Sequence, residues 1–342
     1  MSNELIISLD AMGGDKAPEV VVEGAALSVK QNKNLRIIFF GEKAMICRSL
    51  DRYPSLKDVS DVYNCEKIVT MEDKPKDALK NAKETSMWQS IEAVKKGNAH
   101  AVLSAGNTGA LMIFSKMLLG TLPGIDRPAI ASLWPNVKGQ SVVLDLGANI
   151  KMDENHLFSF SLMGAVLSKI LLSKPNPTIG LLNIGTEEAK GLSHLQKACD
   201  KLSQVDSFFR FLGYVEGNDI SEGTTDVVVT DGFTGNVALK TAEGTAKLLI
   251  HKLRKSIESD FFSRIFYFLA KRGFRAFKNS IDPSVYNGGI FLGLNYLAVK
   301  SHGGTDANGF SNAINISVDM AKNELVSEIR KNFDLLQNQL QK

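Results

Sequence analysis

The 342-residue chain has few of the residues that would mark a metal centre or a disulfide scaffold: 3 cysteines (Cys47, Cys65 and Cys199) and 5 histidines, all widely spaced. An odd, scattered cysteine set argues against a disulfide framework and suits a reducing compartment, and no pair of side chains has zinc-ligand spacing, so no metal is expected. The net charge of +3 is too small for a nucleic-acid footprint. No window approaches the roughly 18 uncharged apolar residues of a membrane span. The opening MSNELIISLD lacks the basic flank and apolar length of a signal peptide, so a cytoplasmic location is expected. Neither GxxxxGK[ST] nor GxGxxG occurs, which disfavours a P-loop nucleotide hydrolase and a nicotinamide-dependent dehydrogenase.

What is present is a strand, a tight turn and a helix, and the pattern recurs. Residues 101–119, AVLSAGNTGALMIFSKMLL, begin as a β-like run, break at Ser104, Gly106, Asn107, Thr108 and Gly109, and resume as an apolar stretch of helical length. The glycines permit close approach, and the free N–H groups of a helix start suit an anion. Residues 226–239, DVVVTDGFTGNVAL, repeat the arrangement: Thr230 stands for Ser104, Gly232 for Gly106, and Thr234-Gly235 for Thr108-Gly109, with Asp231 and Asn236 beside them. One such corner reads as an ordinary loop. Two suggest a ligand site, because α/β sheets gather ligands at the carboxyl ends of their strands.

Taken in order, strands and helices alternate throughout, which predicts a three-layer α/β fold with a mostly parallel sheet covered on both faces, as one catalytic domain over 1–342. Strands are expected at 5–9, 35–40, 67–71, 101–104, 141–146, 178–182, 208–213 and 294–299, with another in PAIASLW after Pro128. The first ends in Asp10, Gly13 and Gly14, and Pro18 opens the following helix. Tyr286-Asn287-Gly288-Gly289 reads as a turn, and His302 as the one histidine in a site-like loop. The loop after 182 carries Glu187, Glu188 and Lys190. Summed, these corners predict a cleft lined with backbone donors and short polar side chains.

Residues 251–280 behave differently. At about 100° per residue, Phe262, Ile265, Phe266 and Leu269 fall on one side of a helix, and Arg264, Lys271 and Arg275 on the other. Such a basic, aromatic, amphipathic segment suits an anionic membrane surface, a dimer partner or an acidic protein.

The motifs DAMGGDKAP (10–18), SAGNTGALM (104–112), GIDRPA (124–129), LDLGAN (144–149), GLLNIGTE (180–187), DVVVTDGFTGNVALKT (226–241) and HGGTDA (302–307), in this order over nearly the whole chain, resemble the bacterial phosphate acyltransferases of the PlsX family. The resemblance implies transfer of a long-chain acyl group from acyl carrier protein to inorganic phosphate, giving acyl phosphate for phospholipid synthesis by a downstream membrane acyltransferase. It further implies the isocitrate/isopropylmalate dehydrogenase-like fold, a homodimer, peripheral association with the inner face of the cell membrane, and no cofactor. Lys190 and Asp231 are the catalytic residues it favours, with Asn236 and His302 as further candidates. Asp10, Gly13, Gly14, Ser104, Gly106, Asn107, Thr108, Gly109, Thr234 and Gly235 are the candidate phosphate and substrate contacts. Competing expectations are a phosphotransacetylase acting on short acyl-coenzyme A, and a non-catalytic membrane scaffold for lipid synthesis.

Overall fold

The computed structural model describes residues 4–187, 189–205, 208–258 and 288–340, together with 267, 270–274 and 277. Short β-branched and aliphatic runs become strands β1 (Leu5–Asp10), β2 (Leu35–Gly41), β3 (Ser60–Asn64), β4 (Ala101–Ser104), β5 (Ala129–Asn136), β6 (Gly139–Leu144), β7 (Thr178–Leu182), β8 (Arg210–Val215), β9 (Val227–Val229), β10 (Gly289–Leu292) and β11 (Leu297–Lys300). Between them run α1 (Glu19–Gln31), α2 (Lys43–Leu50), α3 (Pro54–Lys57), α4 (Pro75–Ala78), α5 (Ser86–Lys95), α6 (Thr108–Leu119), α7 (Glu154–Leu171), α8 (Ser193–Leu202), α9 (Gly217–Glu222) and α10 (Gly232–Glu258). Two helices, α11 (Ala307–Lys322) and α12 (Leu325–Leu340), follow the last strand.

All eleven strands form one sheet in the order β3-β2-β1-β4-β11-β10-β5-β6-β9-β7-β8. Side chains alternate between its faces, as the period of a strand requires. Leu103, Ala131, Leu144, Val229 and Val299 join one core with α1, α7, α8, α11 and α12, while Val102, Ile130, Val143, Val228 and Ala298 join a second with α5 and α6. Phe39, Phe160, Phe209 and Phe310 in the first core and Phe114 in the second are almost wholly removed from water, each contributing about 1.5–3 kcal/mol of transfer free energy.

Strand direction reverses across the middle. The strands β1 to β4 and β11 are mutually parallel, as are β6 to β9, and the antiparallel pairings β11-β10, β10-β5 and β5-β6 turn the second set against the first. One hydrogen-bonded row crosses the whole sheet: Val62, Phe39, Leu9, Leu103, Val299, Ile290, Ala131, Leu144, Val229, Leu181 and Tyr214. The strands β1, β4, β11, β6, β9 and β7 all end within one residue of that row. Their carboxyl ends therefore converge on it from opposite directions, and the loops that follow flank a common middle.

Two sequence expectations fail locally. Residues 67–71 make only an isolated bridge from Lys67 to Thr85, and the strand in this region is β3 at 60–64, a half-exposed edge whose SDVYN composition hides it. Gly289, expected in a turn, begins β10, which sits between two antiparallel neighbours and shows no alternation in sequence because both its faces are buried. Of the amphipathic segment, residues 251–258 continue α10 and Lys271 is exposed in a helical turn, whereas Phe262, Arg264, Ile265, Phe266, Leu269 and Arg275 lie outside the described residues.

Candidate functional site

The corner after β4 is assembled around a buried carboxyl. Asp10, at the end of β1, is 2 % exposed, and accepts from Ser86 Oγ at 2.6 Å and Ser104 Oγ at 2.7 Å. Burial pushes its pKa up, against the lowering effect of those two hydroxyls. Ser104 Oγ also accepts the Gly106 N–H at 3.0 Å. Gly13 packs directly on this cluster: a Cβ there would lie 2.6 Å from the Gly106 nitrogen, 2.8 Å from Asp10 Oδ2 and 2.9 Å from Ser104 Oγ, so only glycine fits. The loop after β11 closes the corner, since the Asp15 N–H donates to the Gly303 carbonyl at 2.9 Å. Gly13, Gly14, Lys16, Ala105, Gly303 and Thr305 line a small recess between the three loops.

Asn107 has both ends of its amide engaged. Its Oδ1 caps α6 by accepting the Ala110 N–H at 3.1 Å, and its Nδ2 donates to the carbonyls of Thr70, Met71 and Asp73 at 3.3, 3.2 and 2.9 Å. It thereby straps residues 70–73 over the corner, where the Met71 methyl lies near Gly303 and Pro75 packs on Gly109. Thr108 and Gly109 form the first turn of α6.

The corner after β9 has the same plan with different chemistry. Asp145, at the end of β6, is fully buried and accepts N–H groups from Ile130, Gly147, Ala148 and Asn149 at 3.0, 3.2, 3.0 and 2.7 Å. Burial again raises its pKa, opposed by those donors. Asp231 caps α10, accepting from Thr234 N at 2.9 Å and Thr234 Oγ1 at 2.7 Å. Gly235 lies on the Asp145 carbonyl, and the Asn236 side chain borders Gly147. Here two carboxylates already satisfy the turn and helix-start donors that an anion would use.

Lys190 pairs with Glu187 at 2.7 Å, which raises the lysine's pKa and lowers the glutamate's. Asn183 Nδ2 holds this loop by donating to the Gly185 and Lys190 carbonyls, both at 3.2 Å. Asp231 is engaged with Thr234 and Lys190 with Glu187, and no Asp231–Lys190 bond is among the hydrogen bonds and ion pairs of the described residues. His302 accepts the Gly304 N–H on Nδ1 at 3.2 Å, and burial lowers its pKa. The candidates thus fall into two groups, Asp10 to Gly109 with His302 at one corner, and Lys190, Asp231, Thr234, Gly235 and Asn236 at the other. Five strand spacings separate β4 from β9, roughly 24 Å along a flat sheet. Helix α10 bridges that gap, starting at the second corner and bringing Lys240, Glu243 and Lys247 into electrostatic range of His302.

A family model described as "Fatty acid synthesis protein" matches residues 5–328. The chain belongs to this family. Within the wider set of relatives, a phosphate acyltransferase of Beijerinckia indica is 50% identical over 331 residues, covering 96% of this chain and 86% of its own. One from Afipia carboxidovorans is 46% identical over 336 residues, covering 98% and 95%. Solved structures show the same fold: a phosphotransacetylase from Streptococcus pyogenes at TM-score 0.64 and 17% identity (94% of this chain, 95% of that one), and the EutD phosphotransacetylase from Staphylococcus aureus at 0.59 and 15% (94% and 95%). Among the described residues no group of three or more His, Cys, Asp and Glu side chains could hold a metal ion, and no helix is long and apolar enough to cross a membrane.

Sequence reasoning missed Ser86, Asp145 and Asn149 at these corners, and Lys300, whose Nζ donates to the Ala105 carbonyl at 3.2 Å. Asp145 was legible as the counterpart of Asp10, since both end an apolar strand before a glycine-rich turn. Lys300 carried a fainter signal, a lysine closing the apolar run LAVK directly before Ser301-His302-Gly303-Gly304. Ser86 had none, because its bond to Asp10 joins residues 76 positions apart.

Proposed function

We propose that the protein is a phosphate acyltransferase that moves a long-chain acyl group from the thioester of acyl carrier protein to inorganic phosphate. The observation that carries this reading is identity of about half the residues, over nearly the full length, with proteins bearing that name. A phosphate oxygen attacks the thioester carbonyl carbon, the C–S bond breaks, and the sulfur leaves with a proton as the carrier's free thiol, so acyl phosphate is the second product. Phosphate is itself the nucleophile, and the protein's task is to hold the anion against the carbonyl rather than to supply a serine or cysteine. Donors aimed at the developing oxyanion contribute about 3 kcal/mol each. Asn236, at the mouth of the second corner, supports that role, and Lys190 and His302 support charge neutralisation and delivery of the thiol proton. Asp231 holds the turn that positions Asn236.

The reading extends to a homodimer that works peripherally at the inner face of the membrane and passes acyl phosphate to a membrane acyltransferase. Helix α10 supports the dimer, because Val237, Leu248 and Leu249 are each more than half exposed on it. The basic, aromatic composition of 258–278 supports membrane contact.

The test is thiol release from palmitoyl-acyl carrier protein with and without phosphate, with product trapped by hydroxylamine. Phosphate-dependent release with hydroxamate formation is expected. Release from short acyl-coenzyme A alone would move the assignment to a phosphotransacetylase, and inactivity with both donors would leave a scaffold.

A further inference from the structure

The two corners differ in which of their donors are spent, and that difference separates their roles. At the second corner the turn amides serve Asp145 and the start of α10 serves Asp231, so negative charge belonging to the protein already occupies the anion positions. At the first corner Asp10 takes mainly hydroxyls, and the N–H groups of Gly14 and Gly303 donate to no described residue. Both glycines lie close to the Ala105 carbonyl, which accepts from Lys300, at the end of β11. Its Nζ donates to the Ala105 carbonyl at 3.2 Å and to the Ser301 carbonyl, tying together the loops that follow β4 and β11. Both partners are neutral carbonyls, and no carboxylate of a described residue comes within ion-pair distance. Lys240, the other cation facing it, is paired with Glu243 at 2.9 Å. Lys300 is half-buried, and its ammonium lies deep enough for burial to dominate its titration, facing Asp10, Asp15 and Lys240. A buried cation held by two neutral carbonyls, close to two glycine N–H groups that donate to no described residue, has the donor set of an anion site.

We infer that inorganic phosphate binds at the corner made by residues 13–14, 105–109 and 300–305, and that Lys300 supplies the charge that holds it. This deepens the proposed acyl transfer and rests on it. The Gly14 and Gly303 amides and the first turn of α6 provide neutral donors, and the Asn107 strap and Met71 cover the corner from solvent. Burial of the ammonium depresses its pKa to about 8, which leaves Lys300 mostly cationic at neutral pH.

The decisive variant is Lys300→Gln, which keeps N–H donors for the Ala105 and Ser301 carbonyls and removes the charge. A charge-assisted hydrogen bond to phosphate sets the scale. In the full chain K300Q should raise KM for phosphate about 10- to 100-fold while KM for palmitoyl-acyl carrier protein stays within about 2-fold. Lys300→Arg, which keeps the charge, should recover most of that loss. Inorganic phosphate alone should raise the melting temperature of the wild type and fail to raise that of K300Q. An unchanged phosphate KM in K300Q, an equal phosphate-induced shift in both proteins, or a K300R indistinguishable from K300Q would each overturn the assignment. A wild type that makes no hydroxamate would instead refute the acyl-transfer reading, and the melting comparison, which needs no acyl donor, would still judge Lys300.

Discussion

Replacing Gly235 by alanine should destabilise the protein although alanine is the better helix former. Gly235 is the fourth residue of α10 and packs on the end of β6. A Cβ built there drives into the Asp145 carbonyl oxygen, and also meets Thr230 Cγ2 at 2.9 Å and the Asp145 carbonyl carbon at 3.1 Å. Two of these three atoms are backbone, so relief requires the first turn of α10 to move by about 1 Å. Overpacking of this kind costs about 1–3 kcal/mol, offset by up to about 1 kcal/mol of helix propensity. A net loss of about 1–2 kcal/mol should lower the melting temperature of a 342-residue chain by about 1.5–3 °C. The same displacement carries Asp231 and Asn236 with it, and a 1 Å misplacement costs roughly 100-fold in rate. Gly244→Ala is the internal control. It lies in the same helix, a Cβ there would meet nothing within 4 Å, and it should gain about 0.5–1 kcal/mol with turnover unchanged. Calorimetric melting and the hydroxamate assay on both variants decide the matter. A Gly235→Ala protein as stable and active as Gly244→Ala would refute the argument.

Asn107→Ala should cost about 2–3 kcal/mol, through loss of the α6 cap and of the donor to three carbonyls. Asn107→Asp keeps the cap alone and should fall between, with early proteolysis in 70–85 in both; equal stability of the two variants would contradict the strap. The stability contribution of Lys300 has a defined sign with pH. Its folded pKa, depressed by burial to about 8 from 10.5, means that between those values the unfolded chain holds a proton the folded chain has released. Wild-type stability measured against K300Q should therefore rise from pH 8 toward 10 and be flat below 8, and a difference that falls over that range would contradict the enclosed ammonium.

Much of the fold was legible because local pattern and tertiary demand agree. The strand 178–182 and the helix opened by Pro18 appear as expected, since their apolar runs, caps and breakers act within a few residues. The repeat of Gly-Thr-Gly corners was equally local. Strands β3 and β10 were not legible. One is a polar edge, and the other is a short run whose assignment depends on neighbours more than a hundred residues away.

The sequence by itself determined the alternation of strand and helix, the two corners with their glycines, and the family, because each rests on residues close together in the chain. Only the tertiary structure decided how the corners are used. Reversal of strand direction at β10 and β5 brings two sets of carboxyl ends to one row of the sheet. Burial places Asp10 under Ser86 and Ser104, and fills the second corner with Asp145 and Asp231. It also sets the Lys300 ammonium against two neutral carbonyls, with no described carboxylate within ion-pair distance. Those outcomes depend on contacts between residues up to about two hundred positions apart, where charge, desolvation and donor supply are settled by packing.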